Sequence, residues 1–149
     1  MKLGDYLDKE MILPELTAST KEEVLAELVA AVVKANPNLD SERVLAVLKE
    51  RESLGTTGIG DGIAIPHGKL DTLDKIILVA GRSTSGVDFE SLDFKLCNIF
   101  FLVLAPEQVA GVHLRILAQI SRLLKDKEFR NAIMSASGVD ELWQLLADA

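Results

Sequence analysis

Between Gly55 and Gly68 the chain holds five of its ten glycines within fourteen residues, and this segment divides everything else. Before it, apolar residues recur at helical spacing. Thr20-Lys21-Glu22-Glu23 reads as a capping box opening a helix that runs to about Lys34, with Val24, Leu25, Leu28, Val29 and Val32 on one face and Asn36-Pro37-Asn38 as the stop. Asp40 is the N-cap of a second helix, Leu39 and Val44 form its hydrophobic staple, and Leu54-Gly55 ends it. Ahead of both lies a short apolar segment, Met11 to Leu16.

After the glycines the pattern changes to strands. Ile76 to Gly81 and Asn98 to Ala105 are strand-like runs, and Ser83-Thr84-Ser85-Gly86 between them reads as a turn or hairpin connection. The chain closes with helices at Gly111 to Leu124, Lys127 to Met134 and Val139 to Ala147. Helices at both ends and strands between them predict an α/β layered domain with one core spanning residues 1–149. A hydrophobic content of 48% over 149 residues supplies that core.

A net charge of −7 opposes binding to a phosphate backbone, which needs clustered Lys and Arg, so nucleic acid is excluded as a partner. The longest apolar run, Ile99 to Ala105, is far short of the roughly 20 residues that span a bilayer. The N-terminus carries no apolar secretory stretch, and the expected location is the cytoplasm. Cys97 stands alone beside an apolar strand and reads as a small buried hydrophobe. Two distant histidines and one cysteine give no metal-ligand spacing.

The glycine segment ends in Ile65-Pro66-His67-Gly68. Glycines let successive N–H groups converge on one anion, and Thr56, Thr57, Gly58, Gly60 and Gly62 are candidate phosphoryl-binding positions; for the glycines taken alone, tight turns and a bulge are the favoured account. Pro66 holds Ile65 extended and presents His67 at the end of a short strand. Known nucleotide motifs fail. Gly68-Lys69 is followed by Leu70 where the P-loop needs Ser or Thr, and the glycines spaced two apart do not make G-x-G-x-x-G. Gly81-Arg82-Ser83-Thr84-Ser85-Gly86 misses the serine-hydrolase elbow by one residue.

The second histidine, His113, shares a helix face with Ile116, Leu117, Ile120 and Leu124 and points inward near a helix N-terminus. It is either a core histidine bonded to a carbonyl or a neutral donor to an anion. Arg51, seven residues beyond Val44, is either a C-terminal-turn cation or an anion clamp.

The run Glu50-Arg51-Glu52-Ser53-Leu54-Gly55-Thr56-Thr57-Gly58-Ile59-Gly60-Asp61-Gly62-Ile63-Ala64-Ile65-Pro66-His67-Gly68-Lys69 closely resembles the active-site signature of the mannitol/fructose/nitrogen-type enzyme IIA family of the sugar phosphotransferase system. His113-Leu114 opening an apolar helix resembles the second histidine of that family, and the likeness covers essentially the whole chain. Thr56 stands where serine is commoner, and Val112 where a polar or acidic residue is usual. The resemblance implies a mixed sheet flanked by helices. It also implies phosphoryl transfer from an HPr-type carrier to the His67 nitrogen remote from the main chain, with Arg51 and His113 as stabilising neighbours and no metal or organic cofactor. Onward transfer would go to a IIB domain or a regulatory target. The form of the motif and the absence of a linker toward a second domain favour the nitrogen-regulatory branch. A sugar-specific IIA component and a non-phosphorylated binding module are the alternatives.

Overall fold

The computed structural model describes all 149 residues. Its centre is β6 (Cys97–Pro106), ten residues of which nine are buried. Burial on consecutive residues, rather than alternate ones, means that both faces of the strand are covered. β5 (Ile77–Val87) runs antiparallel to it, pairing Ile77 with Leu104 and Ala80 with Phe101. On the far side of β5 lies the two-residue β1 (Ile12–Leu13), in parallel. The other edge of β6 takes β3 (Ile63–Ala64) and then β4 (His67–Leu70), both parallel to it; β2 (Gly58–Gly60) pairs antiparallel with β3. The strand order is β1-β5-β6-β3-β2, with β4 following β3 along the same edge. This is the α/β layered domain that the sequence pattern predicts, with the mixed sheet that the family resemblance implies.

Five helices cover it: α1 (Lys21–Ala35), α2 (Ser41–Ser53), α3 (Ala110–Leu123), α4 (Lys127–Ser135) and α5 (Val139–Ala147). α1 packs on β5, α2 on β4, α3 and α4 on β6, and α5 on β1. The expected helix starts hold. Thr20 and Glu23 close a reciprocal capping box, and the Asp40 side chain accepts from the Glu42 N–H at 3.0 Å; such caps are each worth about 1 kcal/mol. The buried apolar residues form one continuous core of 37 residues. Cys97 lies within it, and burial raises its thiol pKa to about 11, leaving an unreactive side chain.

One expectation is corrected. Ser83-Thr84-Ser85-Gly86 is no hairpin but the far end of β5, where the ladder to β6 slips between Arg82 and Val87. The polar residues there are satisfied as a strand edge would be. Thr84 donates its N–H and hydroxyl to the Glu15 carboxylate, and the Ser83 hydroxyl accepts the Gly86 N–H at 3.0 Å. The connection to β6 comes later, between Val87 and Cys97.

Arg82 is the one buried cation of β5. It has no carboxylate partner; instead Nε donates to the Pro14 carbonyl at 2.9 Å and Nη1 to the Ile133 and Ala136 carbonyls at 2.9 and 2.6 Å. It thereby closes the C-terminal end of α4, where carbonyls lack partners and the helix dipole favours positive charge. Arg82→Met should remove the charged donor from the Pro14, Ile133 and Ala136 carbonyls and lower the free energy of unfolding by roughly 2–4 kcal/mol, read from the midpoint of urea denaturation.

Candidate active site

The site forms where α2 ends against β4. Gly68 permits the approach, because a Cβ there would lie 2.6 Å from Val47 Cγ1. With the helix this close, Arg51 in its last turn reaches His67 at the start of β4. Arg51 Nε donates to His67 Nε2 at 3.3 Å, and Arg51 Nη1 donates to the Gly55 carbonyl at 2.9 Å. His67 Nδ1 lies 2.9 Å from the Ile65 carbonyl. A carbonyl oxygen can only accept, so Nδ1 carries the ring proton and Nε2 holds the lone pair. Pro66 lends the rigidity: its fixed φ, with its own carbonyl accepting the Val103 N–H at 3.0 Å, sets His67 two residues beyond the carbonyl that orients it.

His113 comes from the other side, in the first turns of α3. Its ring stands edge-on to that of His67, centroids 5.7 Å apart at 73°. It is 4% exposed, and its Nε2 is buried without a hydrogen-bond partner in the protein. Buried polar atoms are nearly always paired. An orphaned ring nitrogen beside His67, on a helix whose N-terminus has no side-chain cap, marks a place for a polar group from outside. The inward direction that the helical spacing predicts is the one observed, and no carbonyl satisfies Nε2.

Both imidazoles are held neutral. Burial lowers the His67 pKa below its ordinary 6.5; the hydrogen bond to Ile65 opposes this and the Arg51 charge adds to it. Burial, then the charges of His67 and Lys69, brings His113 down to about 4. Around the two rings lies an open depression of about 540 Å³, whose rim includes Glu50, Leu54, Lys69 and Leu114. Leu54 and Leu114 are 81% and 66% exposed. Two depressions of similar or greater volume, about 580 and 790 Å³, lie beside the N-terminal segment and beside α3, and neither contains a histidine.

The glycine-segment positions do not join this group. Thr57 gives its N–H to Glu52 Oε1 at 3.0 Å and its hydroxyl to Glu52 Oε2. The Gly58 N–H goes to Thr56 Oγ1 at 3.1 Å, and Thr56 Oγ1 also receives Lys21 Nζ at 3.3 Å. Gly60 and Gly62, with φ of 103° and 77°, flank Asp61 in the turn between β2 and β3. Ile63 aligns with Ile99 and His67 with Val103, so this turn is about 13 Å from His67 along β6. The glycines here serve the turn, the second of the two uses the sequence allows. What sequence reasoning missed is Glu52 with Lys21, a largely buried ion pair at 3.0 Å that joins the end of α2 to the start of α1; its only trace was a carboxylate beside Arg51.

Titration of the ring-nitrogen NMR signals should show His67 protonating below pH 6.5 and His113 only near 4. The linked stability has a definite sign. Both groups bind fewer protons folded than unfolded below pH 6.5, so stability is fully present above that pH and falls as the pH drops toward 4. His113→Phe should flatten the fall in unfolding midpoint over that window.

The family model described as "Phosphoenolpyruvate-dependent sugar phosphotransferase system, EIIA 2" matches residues 5–149. A nitrogen regulatory protein of Bradyrhizobium diazoefficiens is 38% identical over 147 residues, covering 99% of this chain and 95% of that protein. The crystal structure of nitrogen regulatory protein IIA-Ntr from Neisseria meningitidis superposes with a TM-score of 0.90 at 28% identity, covering 97% of this chain and 98% of that one. Enzyme IIAMtl of Escherichia coli, solved in complex with phosphorylated enzyme IIBMtl, superposes at a TM-score of 0.78 with 26% identity over 95% of this chain and 96% of that one. No helix of this chain is long and apolar enough to cross a membrane. On sequence and on fold together, the chain belongs to the EIIA type-2 family of the phosphoenolpyruvate-dependent sugar phosphotransferase system.

Proposed function

We propose that the chain is a phosphocarrier that accepts a phosphoryl group on His67 Nε2 from a phosphohistidine of an HPr-type protein, and that its main role is regulatory. One observation carries this reading: the His67 lone pair is fixed on Nε2 by the Nδ1–H bond to Ile65, at a depression that Arg51 and His113, whose Nε2 has no partner in the protein, also line. Phosphoryl transfer asks for little more than in-line positioning and donors for three equatorial oxygens.

In the transfer the nitrogen–phosphorus bond of the donor breaks, its electron pair returning to the donor ring, while the His67 lone pair forms the new bond from Nε2 to phosphorus. The proton on Nδ1 stays in place, and the Ile65 carbonyl supports the positive charge that grows on the ring. Arg51 moves its Nε–H from His67 Nε2 to a phosphoryl oxygen, and His113 donates from Nε2 while remaining uncharged at neutral pH. No metal or organic cofactor enters. The exposed Leu54 and Leu114 beside the depression suit a protein donor better than a small one, since apolar rims favour protein contact.

The regulatory assignment is supported by likeness to the nitrogen regulatory proteins, and a cytoplasmic location goes with that reading. The second reading, a sugar-specific component that passes the group to a IIB domain, is favoured by the likeness to enzyme IIAMtl, which forms such a complex.

The test is incubation with phosphoenolpyruvate, enzyme I and HPr, followed by intact-mass analysis. The parent should gain one acid-labile phosphoryl group and His67→Ala none. Arg51→Ala and His113→Ala should each slow the gain by on the order of a hundredfold, as loss of one transition-state donor does. A parent that gains nothing from any cognate carrier returns the chain to the binding-module reading.

A further inference from the structure

Glu52 follows Arg51 in the last turn of α2, yet its carboxylate faces inward with a side-chain exposure of 6%. Oε1 takes Lys21 Nζ at 3.0 Å and the Thr57 N–H at 3.0 Å, and Oε2 takes the Thr57 hydroxyl. Lys21, the first residue of α1, also lies 4.7 Å over the ring of Phe89. A buried ion pair of this kind adds little to stability, because desolvation of both charges offsets their attraction. Its place in the hydrogen-bond connectivity suggests another use. Thr57, bound twice to Glu52, accepts the Ile65 N–H on its carbonyl at 3.0 Å, and the Ile65 carbonyl accepts His67 Nδ1–H at 2.9 Å. On the other side of Glu52 stands Arg51, whose Nε meets His67 Nε2. One carboxylate thus joins the segment that delivers the ring to the helix end that delivers the guanidinium.

We propose that Glu52, held by Lys21, is a positioning residue for phosphoryl transfer: by tying Thr57 to the end of α2 it fixes the His67 tautomer and the Arg51 guanidinium in one arrangement. The inference rests on the phosphocarrier reading. Glu52 itself touches no reacting atom. An ionised carboxylate is required because three donors point at it, and a glutamine would turn its own N–H₂ toward one of them. The lysine is required because a buried negative charge behind His67 would otherwise oppose an incoming phosphoryl dianion. The charged and titratable groups around His67 are Arg51, Glu50 and Glu52 from α2, His113 from α3 and Lys69 from β4 itself. Among them Glu52 favours the imidazolium and Arg51 opposes it.

Four variants decide the matter: Glu52→Gln, Lys21→Met, Lys21→Arg, and Thr57→Val as a milder cut that removes one hydroxyl. Each is measured for ring-nitrogen NMR of His67 across pH, for the rate of phosphorylation by phospho-HPr as a function of donor concentration, and for Tm. Glu52→Gln and Lys21→Met should lower the rate at saturating donor by about ten- to a hundredfold with the KM for the donor unchanged, the size of loss that misplacing reacting groups produces. Their His67 nitrogens should move from the values of one tautomer toward those of an exchanging ring. Thr57→Val should do the same to a smaller degree, and Lys21→Arg should behave as the parent. A lowered Tm with an unchanged His67 tautomer and an unchanged saturating rate would overturn the proposal and leave the pair a packing feature. If the parent itself takes no phosphoryl group, the phosphocarrier reading fails, while the nitrogen signals still report whether Glu52 sets the ring.

Discussion

β6 is the element from which everything else takes its place. A strand buried on both faces over nearly its whole length must be covered by helices and paired on both edges, because its N–H and C=O groups have no water to turn to. One edge is met along its length by β5. The other is met in two pieces, β3 and β4, with Ile65 and Pro66 between them. That interruption is where the site arises. A continuous strand would send alternate side chains to alternate faces and leave no ring turned back onto a carbonyl two residues earlier. The break at Ile65-Pro66 lets His67 fold its Nδ1 onto the Ile65 carbonyl while its own backbone resumes pairing opposite Val103.

Much of this was legible in the residues. The capping box at Thr20, the cap at Asp40 and the apolar stripes of α1, α2 and α3 depend on neighbours within four positions, so local spacing reveals them. The inward face of His113 follows from the same arithmetic. The polar end of β5 was misread because Ser, Thr and Gly signal turns when nothing else is known, and here a remote carboxylate, Glu15, satisfies Thr84 as part of a strand. The glycine segment offered two uses, an anion cradle or turn geometry. Only the three-dimensional register, which carries Gly60 and Gly62 away from His67, separates them. Glu52 and Lys21 are thirty-one positions apart and meet across α1 and α2, a pairing that no periodicity encodes.

The electrostatics of the site follow from burial more than from any single charge. An imidazole out of water loses more by being charged than a neighbouring carboxylate returns, and the desolvation of both rings outweighs the influence of Glu52 on His67. Two histidines that would compete for a proton in water are both left uncharged here. Each then keeps one N–H and one lone pair, and the two can play opposite parts: one ring offers electrons while the other offers a hydrogen.

The contact between Arg51 Nε and His67 Nε2 has a consequence for selectivity in time rather than in space. A lone pair already shared with a cation is a slow nucleophile, so on the proposed function the resting histidine would be masked against stray electrophiles and casual small phosphates in the surrounding solution. The mask would come off only for a visitor whose own oxygens hold the guanidinium better than the ring does. On the proposed phosphocarrier function the arginine would serve as a latch and as a clamp in succession, the atoms that hold the site idle being those that would steady the group whose arrival ends that idleness.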